Sequence, residues 1–137
     1  MRKHNGFTLI ELVVVVMILG ILAAVAAPKL LGTSSTAADN GLKQTLGVVR
    51  DAIERYAAEH SGALPTANIT TELVPQYLRG EFPNSPLTST NTVAITPSGA
   101  TTPSGTEAWR YNSGDGTFIV NSADPTKSDS SVNYNDL

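Results

Sequence analysis

An apolar run of 21 residues near the start of the chain constrains what the sequence can form. It extends from Phe7 to Ala27, and as a helix it would rise about 30 Å, one hydrocarbon thickness of a bilayer. Arg2 and Lys3 precede the run, and this charge placement favours a cytoplasmic N-terminal side. The sequence therefore predicts one transmembrane helix, with the rest of the chain across the membrane.

One residue, Glu11, breaks the apolar character of this run. A carboxylate at bilayer depth costs roughly 2.5–3.5 kcal/mol on insertion scales, so the acid needs an explanation. The simplest explanation is that the side chain of Glu11 reaches back to the lipid headgroups. An ordinary secretory signal peptide ending at the A-x-A pattern of 24–26 is another interpretation of the run, but the apolar part of such peptides usually has only about 7–15 residues.

A processing motif explains the acid better. The six residues GFTLIE at 6–11 follow a short basic leader and precede an apolar run that ends near Pro28. This arrangement resembles the prepilin processing motif of type IV pilins and type II secretion pseudopilins. The resemblance implies that prepilin peptidase removes a leader at 1–6 by cleaving between Gly6 and Phe7, and that Phe7 is then N-methylated. The segment 7–27 would be the transmembrane and filament-core helix.

Filament assembly would provide a role for Glu11. Cleavage would leave a positive amine on Phe7, one helical turn from the acid. When subunits stack, the amine of an incoming chain can pair with Glu11 of a chain already in the filament. Removing one partner of such a buried pair costs about 3–5 kcal/mol. We therefore predict that Glu11 and Phe7 are assembly residues.

Three residues are predicted to weaken the long helix: Gly20, Pro28 and Gly32. A proline in a helix interior costs about 3 kcal/mol. In a bilayer the helix would persist, because its backbone groups have no other partners. Two interpretations remain open: the 20–32 stretch unwinds in the assembled fibre, or Pro28 only kinks the helix.

The remaining residues, 28–137, are predicted to form one small periplasmic domain. An apolar stripe at spacings of three and four predicts an amphipathic helix at about 36–60, formed by Leu42, Leu46, Val49, Ile53 and Tyr56. Gly62 is expected to cap this helix in the left-handed conformation. The stretch 61–107 is predicted to be a loop, with a short helix or turn over 70–80 that ends at Gly80 and has Pro75 near its first turn, and at most a short strand at 92–95.

Two aromatic or β-branched runs around Gly114-Asp115-Gly116 predict a β-hairpin at about 108–121. Trp109 and Tyr111 would share one face, which would pack on the helix stripe. The predicted fold class is α+β, a long N-terminal helix packed on a small antiparallel sheet. Over nearly the whole chain this layout again resembles the pilin and pseudopilin fold.

The chain ends in an acidic tail, 122–137, that is rich in oxygen donors. The resemblance implies a calcium site here, since the C-terminal loop of major pseudopilins binds calcium. Its predicted ligands are Asp124, Asp129 and Asp136, of the carboxylate type that calcium takes. Lys127 adds a positive charge that a cation site would not favour. The alternative is a solvated, poorly ordered tail.

Composition limits the classes of function. The chain has no cysteine, which excludes disulfides and thiolate chemistry. Its net charge of −3 and 15% charged residues argue against a nucleic-acid partner. The histidines are His4 and His60, and no catalytic loop motif accompanies them. The sequence therefore does not predict an enzyme.

Three functions remain open. The first is a structural subunit of a type II secretion pseudopilus, single-pass in the inner membrane and periplasmic beyond it. It would polymerise with itself and work with prepilin peptidase, minor pseudopilins and an inner-membrane assembly platform. The second is a type IV pilin of a surface fibre for adhesion, motility or DNA uptake. The third is a membrane-anchored periplasmic module that does not polymerise. The lack of cysteine favours the first, since many type IV pilins close their C-terminal region with a disulfide.

Overall fold

The computed structural model describes residues 7–98 and 102–137, without the side chains of 31 and 32. The predicted leader 1–6, with Gly6, lies outside the described residues. The chain divides into two compact units, Met1–Ser35 and Thr36–Leu137. They are considered separately below.

The first unit contains the beginning of helix α1, which spans Leu9–Glu59. The backbone is helical at Gly20, at Pro28 and at Gly32. A long apolar helix can carry these residues because the remaining backbone hydrogen bonds outweigh the local cost. The predicted unwinding refers to an assembled fibre, and it stays a prediction, as does a kink at Pro28.

In the second unit, α1 buries the predicted apolar stripe. Four of its positions are almost fully buried: Leu42, Leu46, Val49 and Ile53. The helix ends at Glu59, and Gly62 follows with a φ of +87°. The N–H of Gly62 donates to the carbonyl of Ala57 at 2.7 Å, which confirms the predicted left-handed cap.

Three short strands form the sheet, in the order β1-β2-β3: β1 (Val93–Thr96), β2 (Trp109–Asn112) and β3 (Phe118–Val120). The predicted hairpin is confirmed, since β2 and β3 pair antiparallel with Trp109 opposite Val120 and Tyr111 opposite Phe118. The prediction of a purely antiparallel sheet is wrong, because β1 pairs with β2 in parallel. The connection between these two strands has the length of about a dozen residues that a parallel crossover requires.

The connection after α1 contains helix α2, Ile69–Leu73. Asn68 caps it, with its side chain accepting the N–H of Thr70 at 3.3 Å. Pro75, predicted near the first turn of this element, lies two residues beyond the end of the helix, in the turn that follows it. Val74 is extended, at φ −104° and ψ 136°, as expected for a residue that precedes proline.

The core lies between the helix stripe and one face of the sheet, as the sequence predicted. Trp109 and Phe118 stack with ring centroids 5.3 Å apart, and both side chains are buried. The indole Nε1 of Trp109 donates to the carbonyl of Pro83 at 3.0 Å, so the polar atom of this large side chain is satisfied. The packing of a helix on a small sheet gives the second unit a two-layer architecture.

A buried hydroxyl in this core yields a stability prediction. Within the described residues the Oη of Tyr111 has no hydrogen-bond partner, and burial raises the pKa of Tyr111 to about 12. We expect Tyr111→Phe to leave the free energy of unfolding unchanged or to raise it by about 1 kcal/mol, since an unpartnered polar group is removed. Unfolding can be followed in detergent micelles by the fluorescence of Trp109, the one tryptophan of the chain.

Tyr77→Phe is the matched control, because the Tyr77 hydroxyl donates to Glu59 at 2.7 Å. This substitution should lower stability. A clear loss of stability in Tyr111→Phe would contradict the prediction and would show that its hydroxyl has a partner.

Candidate assembly helix and tail contacts

The apolar side chains in the N-terminal part of α1 are exposed. An 18-residue window of this helix has a mean hydropathy of 3.0, and none of it is buried inside the structure. Among the described residues it is the one helix that is long and apolar enough to cross a membrane. Phe7 is 75% exposed and Leu9 81%. A surface of this kind must be covered by lipid or by other protein chains.

Glu11 takes part in the first turn of this helix. The hydroxyl and the N–H of Thr8 approach its carboxylate at 3.4 and 3.5 Å, and the Thr8 hydroxyl accepts the N–H of Glu11 at 3.3 Å. This reciprocal pair is a capping box, in which threonine at the N-cap faces glutamate three residues later. The T-x-x-E spacing at 8–11 was a signal for it that the sequence reasoning did not use.

Among residues 7–98 and 102–137, the capping box gives the Glu11 carboxylate no positively charged partner. Its contacts are to a hydroxyl and an amide, and both residues are exposed. The acid is therefore positioned by its own helix while its charge remains open to a cation from outside. Phe7, the predicted source of that cation, is described, whereas its cleavage partner Gly6 is not.

The predicted calcium ligands lie in separate hydrogen-bonded turns. Asp124 accepts the hydroxyl of Ser122, Asp129 accepts the N–H and hydroxyl of Ser131, and Asp136 accepts the amide of Asn135. Within residues 7–98 and 102–137 no three His, Cys, Asp or Glu side chains form a group that could hold a metal ion. The three carboxylates do not fit a common site in this arrangement, and calcium binding stays a prediction.

Two charged residues of α1 bind the tail instead. Asp39 accepts the N–H of Ser128 at 2.7 Å and the hydroxyl of Tyr134 at 3.0 Å. Arg50 donates to the carbonyl of Phe118 through Nε at 3.0 Å and Nη2 at 2.8 Å, and to the carbonyl of Leu137 through Nη1 at 2.9 Å. The alternative of a poorly ordered tail is wrong for this structure, because these contacts and the short 3₁₀ helix at Tyr134–Asp136 order it.

Sequence reasoning missed both residues. For Asp39 a signal existed, since it lies three residues before Leu42 and so continues the apolar stripe with an acid. A charged residue on a buried stripe needs a partner within the fold. Arg50 lies next to the stripe and carried no comparable signal.

Known proteins resemble this chain in its N-terminal motif and beyond it. Residues 1–27 match the family described as prokaryotic N-terminal methylation motif. Fimbrial protein EcpB of Eikenella corrodens is 36% identical over 102 residues, 69% of this chain and 63% of that protein. Type II secretion system core protein G of Vibrio cholerae is 41% identical over 61 residues, 44% of this chain and 42% of that protein. In this motif and in the residues that follow it, the chain is similar to the type IV pilin and pseudopilin family.

Other members of this family share a similar stretch. Prepilin peptidase-dependent protein D of Escherichia coli is 44% identical over 62 residues, 45% of this chain and 42% of that protein. This pilin-like chain therefore spans between about two fifths and two thirds of the length of these relatives. No solved structure matches it significantly.

Two carboxylates in the globular unit of this pilin-like chain make its stability sensitive to acid. Burial of Asp39 opposes ionisation, but hydrogen bonds from Ser128 and Tyr134 outweigh it and hold the pKa of Asp39 below its usual range. Burial likewise opposes ionisation of Glu72, and N–H groups of Asn68 and its neighbours lower the pKa of Glu72 more strongly. Both acids are thus stabilised as anions in the folded state.

We expect the free energy of unfolding to fall in acid. A carboxyl whose pKa is lower in the folded state contributes its full stability above the unfolded pKa of about 4, and loses it as the pH drops through the folded value. Fluorescence-monitored unfolding at pH 7, 5 and about 3 would measure this loss. Asp39→Asn should show a smaller decline between pH 5 and about 3 than the wild type, and an equal decline would contradict the assignment.

Proposed function

We propose that this chain is a structural subunit of a type II secretion pseudopilus. In the proposal, prepilin peptidase processes the chain between Gly6 and Phe7, and the subunits polymerise through α1 to support protein export. The observation that carries it is the unburied apolar helix with an acid, Glu11, positioned in its first turn and without a positively charged partner among the described residues. A soluble monomer would not leave such a surface uncovered.

The proposal includes a location and partners. Before assembly, the apolar part of α1 anchors the subunit in the inner membrane, and the globular unit lies in the periplasm. Arg2 and Lys3 support this orientation through the positive-inside rule. The partners are other copies of the chain, minor pseudopilins, prepilin peptidase and an inner-membrane assembly platform. The names of core protein G and of prepilin peptidase-dependent protein D support this context.

A surface fibre is the second candidate function. It is favoured by the similarity to the fimbrial protein EcpB, which extends over 102 residues of the chain, against 61 for core protein G of Vibrio cholerae. The chemistry of α1 and Glu11 serves both kinds of filament equally. Antibody labelling of intact cells, compared with cells whose outer membrane has been permeabilised, separates the two. Label on long external fibres would favour the pilin, and label only after permeabilisation the pseudopilin.

Intact mass of the chain from native membranes tests processing. We expect a mature form that begins at Phe7 and carries one N-methyl group. A mature form that begins at Ala27 would show cleavage at the A-x-A pattern instead, and would overturn the filament proposal. An uncleaved but membrane-anchored chain, found only as a monomer, would favour the module that does not polymerise.

A further inference from the structure

A charged side chain of the globular unit, Asp39, is buried, and the described residues that hydrogen-bond to its carboxylate are uncharged. Asp39 is the fourth residue of this unit and is only 2% exposed. A buried carboxylate is costly unless its oxygens accept hydrogen bonds. Both of its oxygens do: Oδ2 accepts the N–H of Ser128 and Oδ1 accepts the hydroxyl of Tyr134. These donors lie 89 and 95 residues away, and both belong to the tail.

The tail presents these two donors as one preformed unit. The hydroxyl of Tyr134 donates to Asp39 and also accepts the N–H of Lys127 at 3.2 Å. The N–H of Thr126 donates to Val132 at 2.8 Å, and the N–H of Tyr134 donates to the carbonyl of Asp124 at 2.9 Å. The loop between these pairs is thereby closed on itself. Ser128, at the tip of this loop, and Tyr134, at its end, both donate to the carboxylate of Asp39.

The electrostatics agree with this geometry. Ser128 and Tyr134 keep Asp39 ionised despite its burial, and the positive charge of Lys43, one turn further along α1, acts in the same direction. Hydrogen bonds to an ionised acceptor are about twice as strong as those between neutral groups. The predicted calcium ligands, in contrast, are each engaged within their own turn. The carboxylate on which the tail depends thus comes from the helix.

We infer that Asp39 is a metal-free clamp, which holds the 126–134 loop on α1 and takes the role that a disulfide or a bound cation would otherwise serve. A small domain without cysteine needs such a cross-link between distant parts of its chain. The clamp joins the tail to the first residues of the globular unit. The tail therefore detaches from α1 when the hydrogen bonds to Asp39 are lost.

Trypsin offers a direct measurement, because the bond after Lys127 adjoins the clamped N–H of Ser128. The full chain in detergent micelles is digested briefly, and cleavage after Lys127 is quantified by mass spectrometry. Cleavage after Arg79, an exposed residue outside the tail, is the internal reference. When opening is fast relative to cleavage, the rate at Lys127 reports the population of the open tail.

We expect Asp39→Asn to raise the rate of cleavage after Lys127 by about tenfold or more, because hydrogen bonds to a charged group are lost. The rate of cleavage after Arg79 should not change. Asp51→Asn, the same substitution at an exposed position of α1 in the globular unit, is the matched control and should keep the wild-type rate. Calcium chloride and EDTA should leave the wild-type rate unchanged. The inference would be overturned if the Asp39→Asn variant were cleaved after Lys127 at the wild-type rate. It would also be overturned if EDTA accelerated this cleavage in the wild type.

If the Asp39→Asn variant unfolded globally, cleavage would rise after both Lys127 and Arg79. A second variant keeps the test informative in that case. Tyr134→Phe removes the hydroxyl that donates to Asp39 and accepts the N–H of Lys127, and it keeps the ring in the core. It should accelerate cleavage after Lys127 alone, by a smaller factor than Asp39→Asn. Equal rates in Tyr134→Phe and wild type would count against the clamp.

Discussion

Glu11→Gln is expected to abolish filament assembly while leaving the helix and its membrane insertion intact. Glutamine can replace glutamate in a capping box, so the contact with Thr8 and the start of α1 are retained. The negative charge that would meet the amine of a neighbouring Phe7 is lost. Breaking such a buried pair costs about 3–5 kcal/mol, which corresponds to at least a hundredfold weaker association between subunits.

The measurement is chemical cross-linking in native membranes, read as a ladder of oligomers. Glu11→Leu, which removes both the charge and the cap, should also lose the ladder. Glu54→Gln, the same substitution at an exposed site of α1 in the globular unit, should keep it. If Glu11→Gln assembles normally and Glu11→Leu does not, the acid serves the capping box rather than charge pairing, and the proposed assembly role is wrong.

Arg50→Met is expected to destabilise the globular unit by about 1.5–3 kcal/mol, the range for hydrogen bonds to a charged group. The guanidinium of Arg50 joins the carbonyls of Phe118 and Leu137 to α1 through three hydrogen bonds. Methionine fills part of the space of the side-chain stem and leaves these carbonyls without the donor. Trp109 fluorescence during denaturation in detergent micelles would measure the change, because Trp109 stacks on Phe118.

Two variants sharpen this experiment. Arg50→Lys should recover only part of the stability, because one ammonium group cannot reproduce the planar fork that reaches both carbonyls. Arg55→Met places the same substitution on an exposed side of the same helix, where Nε of Arg55 donates to the carbonyl of Asp51 at 3.3 Å. It should change stability by less than about 0.5 kcal/mol. A comparable loss in Arg55→Met would show that the effect of Arg50→Met is not specific.

Features encoded in short stretches could be predicted well. The apolar stripe of α1, its cap at Gly62 and the hairpin around Gly114 follow from the spacing of neighbouring residues, and the structure confirms them. The capping box of Thr8 and Glu11 was equally readable from the T-x-x-E spacing. Pro75 was misplaced by a few residues because the sequence marks the presence of a short helix more reliably than its bounds.

The amino-acid sequence by itself thus determined the membrane-length helix, the acid within it, the processing motif and the helix stripe of the core. Only the tertiary structure decided that β1 joins β2 in parallel, that Asp39 holds the loop at Ser128, and that Arg50 holds Phe118 and Leu137. The physical reason is distance along the chain. Helical and strand periodicities act over a few residues, whereas these contacts join groups 68 to 95 residues apart, and no local pattern records which distant donor a buried charge will meet.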